Sequence, residues 1–265
     1  MKIIDTHSHF NLSQFDGDRE EAIARMEAAG VGTFCVGVDE ETSAKAVALA
    51  AQHESIWAIV GQHPTEWYQA FDTDAFVSLA QQPKVVAIGE CGLDYFRERE
   101  REHLPEQEQL FEAQIALAKE TDLPLMLHIR PTQGTMNAYE DALDILEAWK
   151  KDWPTMRGTA HFFVGTKEIA DRFLALGFSI SFSGVITIFP GYEEVVRHVP
   201  LERILPETDA PFAAPLSWRG KRCEPQYVLE TIKKIAEIKQ LTPEETARAL
   251  FENTTQLFYK SEKVR

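Results

Sequence analysis

Three cysteines in 265 residues, Cys35, Cys91 and Cys223, are too few and too widely spaced for a disulfide framework or a CxxC zinc site. Their scarcity points to a reducing, cytoplasmic setting. No apolar run approaches the roughly 18 residues that a membrane helix needs, so no membrane partner is expected. The start of the chain, Met1-Lys2-Ile3-Ile4-Asp5, lacks the apolar stretch and small-residue cleavage site of a signal peptide. Positive charge is also short: 27 Lys and Arg against 42 Asp and Glu leave a formal charge of −15. That balance disfavours gripping a long polyanion, whose phosphates are met by clustered Lys and Arg, although charge at a cleft can differ from the total. No linker or low-complexity segment divides the chain, so residues 1–265 read as a single domain with no obligatory protein partner in evidence.

What is present is a rhythm. Short apolar runs, expected to be buried parallel strands, fall at Ile3–His7, Thr33–Val38, Trp57–Gly61, Val85–Glu90, Leu125–His128, Thr159–Phe163, Ser179–Ser183 and Ile204–Glu207. Between and after them lie helical patterns at Asp18–Ala29, Glu41–Gln52, Pro105–Thr121, Glu140–Lys150, Lys167–Leu176, Pro225–Ile238 and Pro243–Phe258. Eight strands alternating with helices over this length predict an α/β fold, a (β/α)8 TIM-type barrel. An open doubly wound sheet is the alternative. It lacks its glycine-rich turn, because Asp5-Thr6-His7-Ser8-His9 stands after the first strand.

Polar residues interrupt these strands at their C-terminal ends, the end at which barrel active sites assemble. His7 and His9 close the first strand, and residues two apart on a strand point to one side. His63 follows the third, Glu90 closes the fourth, His128 closes the fifth, His161 sits in the sixth, and Glu207 and Asp209 close the eighth. HxH alone is a weak motif. Four histidines with Glu90 and Asp209 suit Zn²⁺, Mn²⁺ or a similar ion. Six ligands exceed one tetrahedral zinc and fit two ions with a shared carboxylate. His53, His103 and His198 fall in helical or loop contexts and read as structural or solvated. Cys91 is expected to point away from Glu90 into the layer between strands and helices.

The segments Ile4-Asp5-Thr6-His7-Ser8-His9, Gly61-Gln62-His63-Pro64, Ile88-Gly89-Glu90-Cys91-Gly92-Leu93-Asp94, Pro124-Leu125-Met126-Leu127-His128, Ser181-Phe182-Ser183-Gly184 and Glu207-Thr208-Asp209-Ala210-Pro211, with Asn253 and Leu257-Phe258, resemble the TatD-like metal-dependent deoxyribonuclease family of the amidohydrolase-type barrel superfamily. The resemblance runs nearly end to end. It implies a 3'-5' exonuclease type of deoxyribonuclease, cleaving phosphodiester bonds of single-stranded or end-containing DNA with a metal-activated water. It implies two divalent ions per subunit, of Zn, Mn or Mg. His7, His9 and Asp209 would hold one, His128 and His161 the other, with Glu90 as bridge. Asp209 would also take the proton of the attacking water. Glu207 would orient a ligand or water, and His63 would touch substrate or a ligand. Three stretches depart from the family pattern: His128-Ile129-Arg130-Pro131, His161-Phe162-Phe163-Val164-Gly165 and Arg222-Cys223-Glu224-Pro225. The ligands His128 and His161 persist in the first two while the neighbours differ in all three, which bears on substrate rather than on catalysis.

Arg130 and Arg222 are candidates to hold a phosphate, because a planar guanidinium matches it. The run Arg97 to Glu102 alternates sign and reads as a solvated face with a phosphate contact as the other possibility. Trp218 with Arg219 and Lys221 reads either as a base-stacking site or as loop packing. Trp67 and Tyr68 carry the same two readings. Two other functions fit the residues: a two-metal hydrolase of a small ester, lactone, amide or phosphoester, and a metal-stabilised scaffold without turnover.

Overall fold

The computed structural model describes residues 3–97 and 101–259. Eight parallel strands follow one another in chain order, each hydrogen-bonded to the next. They are β1 (Ile3–Ser8), β2 (Val31–Val36), β3 (Ile56–Val60), β4 (Val85–Asp94), β5 (Leu125–Arg130), β6 (Gly158–Ala160), β7 (Ser179–Phe182) and β8 (Ile204–Pro206). An isolated bridge from Ser8 to Ala210 brings the last strand round to the first, so the sheet is a nearly closed (β/α)8 barrel, as the alternation predicts. The helices are α1 (Arg19–Ala28), α2 (Glu40–Gln52), α3 (Thr73–Ala80), α4 (Leu104–Thr121), α5 (Asn137–Asp152), α6 (Lys167–Ala175), α7 (Glu193–His198), α8 (Val228–Lys239) and α9 (Pro243–Phe258).

Local chemistry sets several of these boundaries. Asp39 accepts from the Thr42 amide at the start of α2, and Thr242 and Glu245 cap α9 reciprocally, with Pro243 in its first turn. Two apolar layers then hold the barrel. The larger lies between strands and helices and contains Cys91, as alternation predicts. The smaller draws Ile4, Phe34, Ile59, Val86, Met126 and Leu205 from six strands into the barrel interior, with Leu257 and Phe258 of α9 packed against them. No helix among the described residues is long and apolar enough to cross a membrane.

The strand bounds differ from expectation where the site begins. β6 and β8 are three residues each, so His161 and Glu207 follow their strands instead of lying within them, and Asp209 comes three residues after β8. β4 runs on to Asp94, with its pairing to β5 shifted between Ile88 and Cys91. Gly92 permits this. Its φ is +142°, and a Cβ there would lie 2.1 Å from the His128 carbonyl oxygen. α3 and α7 were not expected, being only eight and six residues long. Of the alternating charged run, Glu98, Arg99 and Glu100 lie outside the described residues, as do Met1 and Lys2.

Candidate metal centre

The first strand and the segment after the last are joined through one buried carboxylate. Asp5 Oδ1 accepts from the Thr208 amide at 2.8 Å and Oδ2 from the Thr208 hydroxyl at 2.7 Å. The Asp209 amide in turn donates to the His7 carbonyl at 2.9 Å. His7 and Asp209 are thereby fixed side by side. Asp209 adopts φ +65°, a left-handed conformation that aspartate tolerates better than most residues.

Glu90 sits at the middle, buried, and its two oxygens face different partners. Oε2 lies 3.5 Å from His7 Nε2 and 3.6 Å from His9 Nε2. Those two nitrogens are 3.1 Å apart, and Asp209 Oδ1 is 3.7 Å from the first and 3.4 Å from the second. Glu90 Oε1 lies 2.7 Å from both His128 Nδ1 and His161 Nε2, which are 3.4 Å from each other. Donors bound to one ion at about 2.0–2.2 Å stand roughly 3–3.5 Å apart, close to the spacing of the first group, whereas in the second Glu90 Oε1 makes 2.7 Å hydrogen-bond contacts that a cation would open slightly. The rings of His7 and His161 stack at 3.9 Å and join the two groups.

Polar groups behind the ring fix which nitrogen looks inward. His9 Nδ1 is 2.9 Å from the Val36 carbonyl oxygen, to which it must donate, leaving Nε2 for the centre. His128 Nε2 is 3.1 Å from Asp94 Oδ2, which turns Nδ1 inward. Glu207 Oε1 stands 3.5 Å from His161 Nδ1, a charge contact longer than a good hydrogen bond. Glu207 is itself held by the Phe162 amide at 2.6 Å and by the Ser181 hydroxyl. Carboxylates behind ligand histidines orient the ring and raise its basicity. Sequence reasoning assigned no role to Asp94 or Asp5. The signals for Asp94 are its place at the end of the segment Ile88 to Asp94 and, in the structure, four residues beyond Glu90 on the same strand.

The electrostatics show a demand for positive charge. Burial opposes ionisation of Glu90, yet the neighbouring His161 and His7 hold it well below the usual carboxylate range. Burial would lower His128, but hydrogen bonds to Asp94 and Glu90 outweigh it and raise the ring to about 9. His161 is likewise raised well above its ordinary value against burial, through Glu90 and Glu207. No Lys or Arg side chain makes an ion pair with Glu90 or Asp209 among the described residues. His9, His128 and His161 are raised and favour the protonated form, whereas burial and His161 lower His7; a divalent cation would displace those protons.

The remaining sequence candidates divide. His63 comes within 3.8 Å of Glu90 Oε1 through Nε2. Its Nδ1 accepts from the Thr65 amide at 3.2 Å, so the neutral ring carries its proton on Nε2. Burial and the adjacent His128 push its pKa down to about 3, keeping it neutral. That ring caps the backbone through Nδ1 and turns its Nε2 toward the centre, beyond hydrogen-bond distance of Glu90. Arg130 lies at the mouth, its guanidinium 3.8 Å from the Phe96 ring centre. Arg222 is not brought to the centre: it makes a two-pronged contact with Asp18 at 2.6 and 2.7 Å and reaches Glu224 at 3.1 Å. Trp218 packs, stacked on Tyr227 at 4.3 Å, and Trp67 stacks on His103 at 3.6 Å.

A profile of the family described as TatD related DNase matches residues 4–259. The chain belongs to that family. A metal-dependent hydrolase of Bacillus subtilis, YabD, is 38% identical over 97% of this chain and 98% of its own length. The 3'-5' ssDNA/RNA exonuclease TatD of Shigella flexneri is 36% identical over 88% of this chain and 90% of its own. The crystal structure of YjjV, a TatD homologue from Escherichia coli K12, superposes with a TM-score of 0.87 at 31% identity, covering 98% of each chain. Membership in the TatD related DNase family makes this chain a metal-dependent hydrolase of phosphodiester bonds, as its motifs imply.

Proposed function

We propose that the protein is a 3'-5' exonuclease acting on single-stranded or end-containing DNA, with two divalent ions as cofactors. The observation that carries this reading is the division of Glu90: one oxygen faces His7, His9 and Asp209, the other His128 and His161. A carboxylate so placed suits a bridge, because each oxygen can bind one ion. Zn²⁺, Mn²⁺ and Mg²⁺ are the ions to try, the imidazoles favouring the first two. Such ions supply Lewis acidity, which brings water toward a neutral pKa and offsets charge on a phosphodiester.

The chain's own residues divide the remaining work. Asp209, the most accessible carboxylate of the set at 17% side-chain exposure, is placed to take a proton from water arriving at the mouth. His63, neutral and protonated on Nε2, donates a hydrogen bond toward the substrate's oxygen. Arg130 is available for a phosphate, whereas Arg222, committed to Asp18 and Glu224, is left out of the substrate contacts. Asp94 and Glu207 act by holding His128 and His161. The unpaired, buried cysteines accord with a cytoplasmic setting.

The test is chelation followed by add-back of each metal, with 3'-end-labelled single-stranded DNA, RNA and small esters assayed side by side. We expect label release from the oligonucleotide to vanish on chelation and to return with metal. Undiminished cleavage after complete metal removal would contradict the mechanism. Turnover confined to the esters would contradict the substrate.

A further inference from the structure

Six large hydrophobic side chains are exposed among the described residues: Tyr68, Phe96, Phe189, Phe212, Leu216 and Leu241. All but Leu241 stand on loops that follow β3, β4, β7 or β8, at the mouth of the barrel. Apolar surface gathered around a polar centre marks a contact face. Two of these rings are tied to the centre itself. The Phe96 amide donates to Asp94 Oδ1 at 2.9 Å, while the other oxygen of Asp94 meets His128. The Phe212 amide donates to the Asp209 carbonyl at 2.8 Å, and its ring lies 6.1 Å from that of His9. In an eight-stranded barrel β4 and β8 are diametrically opposed. Phe96 and Phe212 thus flank the centre from opposite sides, 42% and 47% exposed respectively.

We propose that Phe96 and Phe212 are stacking platforms that seat nucleobases on either side of the phosphate being cleaved. This rests on the nuclease reading and adds how the substrate is gripped. Stacking is indifferent to sequence, since every base has a flat face, and it needs bases that are unpaired. It also needs no positive charge, which suits a chain of net charge −15. Arg130, over one face of Phe96 and without an ion-pair partner among the described residues, adds a cation beside that platform for the strand's backbone. A small ester or lactone would have no use for two rings on opposite sides of the centre.

The test compares kcat/KM for a single-stranded oligonucleotide with that for the same strand made abasic at its last two 3' positions. The wild type is expected to favour the base-bearing strand by about tenfold or more. Phe96→Ala and Phe212→Ala should each cut that ratio several-fold, the double variant should bring it near one, and Phe212→Trp should keep it. A 3'-terminal 2-aminopurine behind a cleavage-resistant linkage gives a reading without turnover, its emission quenched by the wild type and restored in the double alanine variant. An unchanged ratio and unchanged quenching in the alanine variants would overturn the platforms while leaving the nuclease standing. A wild type that cleaves neither strand but hydrolyses small esters would overturn both.

Discussion

At the scale of single residues, the centre is a set of side chains whose orientation depends on a second ring of carboxylates. His128 is turned by Asp94 and His161 faces Glu207, so the ligand nitrogen is chosen from behind. We expect Asp94→Asn to weaken metal binding about 10- to 100-fold, as measured by calorimetric Mn²⁺ titration, with the fold unchanged in circular dichroism. The histidines were legible because four of them stood at strand ends in one sequence. Asp94 was not, because its role depends on the direction of the His128 ring. Arg222 misled for a related reason: its partner Asp18 lies 204 positions away, and a guanidinium matching a phosphate matches a carboxylate equally well. That pair has its own signature. The hydrogen bond from Arg222, with Arg25 assisting, holds Asp18 down to about 2 from an ordinary 3.8. A carboxylate depressed on folding stabilises above its unfolded pKa and loses that contribution as pH falls through the folded one. The melting-temperature gap between wild type and Asp18→Asn should therefore be full above about pH 4 and shrink steadily toward pH 2.

At the scale of elements, short buried strands and long amphipathic helices were readable from periodicity, and the element ends were not. β4 was expected to stop at Glu90 and continues to Asp94, because Gly92 lets the strand lie against the His128 carbonyl. α3 and α7 were missed since eight and six residues give too few turns for a periodic signal. Gly92→Ala tests the tight strand pair. The added methyl meets backbone rather than a movable side chain, at a φ that a side chain rarely adopts. We expect lower urea stability and a loss of activity exceeding the loss of stability, since β5 would carry His128 away from Glu90. Wild-type activity in a folded Gly92→Ala variant would show that the strand spacing does not set the centre.

At the scale of the whole molecule, barrel topology converts scattered sequence positions into one site. His7, Glu90, His128, His161 and Asp209 come from or follow five different strands, and only a sheet that returns on itself brings them together. That much followed from alternation alone, whereas the nuclease reading came through family membership and not from composition, for a net charge of −15 argues against a polyanion. Metal ions held by this centre would answer part of that conflict, supplying the positive charge that lysines and arginines do not. The most direct test of this account is the metal content of the saturated, desalted protein, measured by atomic emission alongside the activity of the same samples. The account predicts two ions per chain in the wild type, and loss of occupancy and activity together in Glu90→Gln. A fully active wild type that saturates at one ion, or a Glu90→Gln variant with full occupancy and turnover, would contradict it.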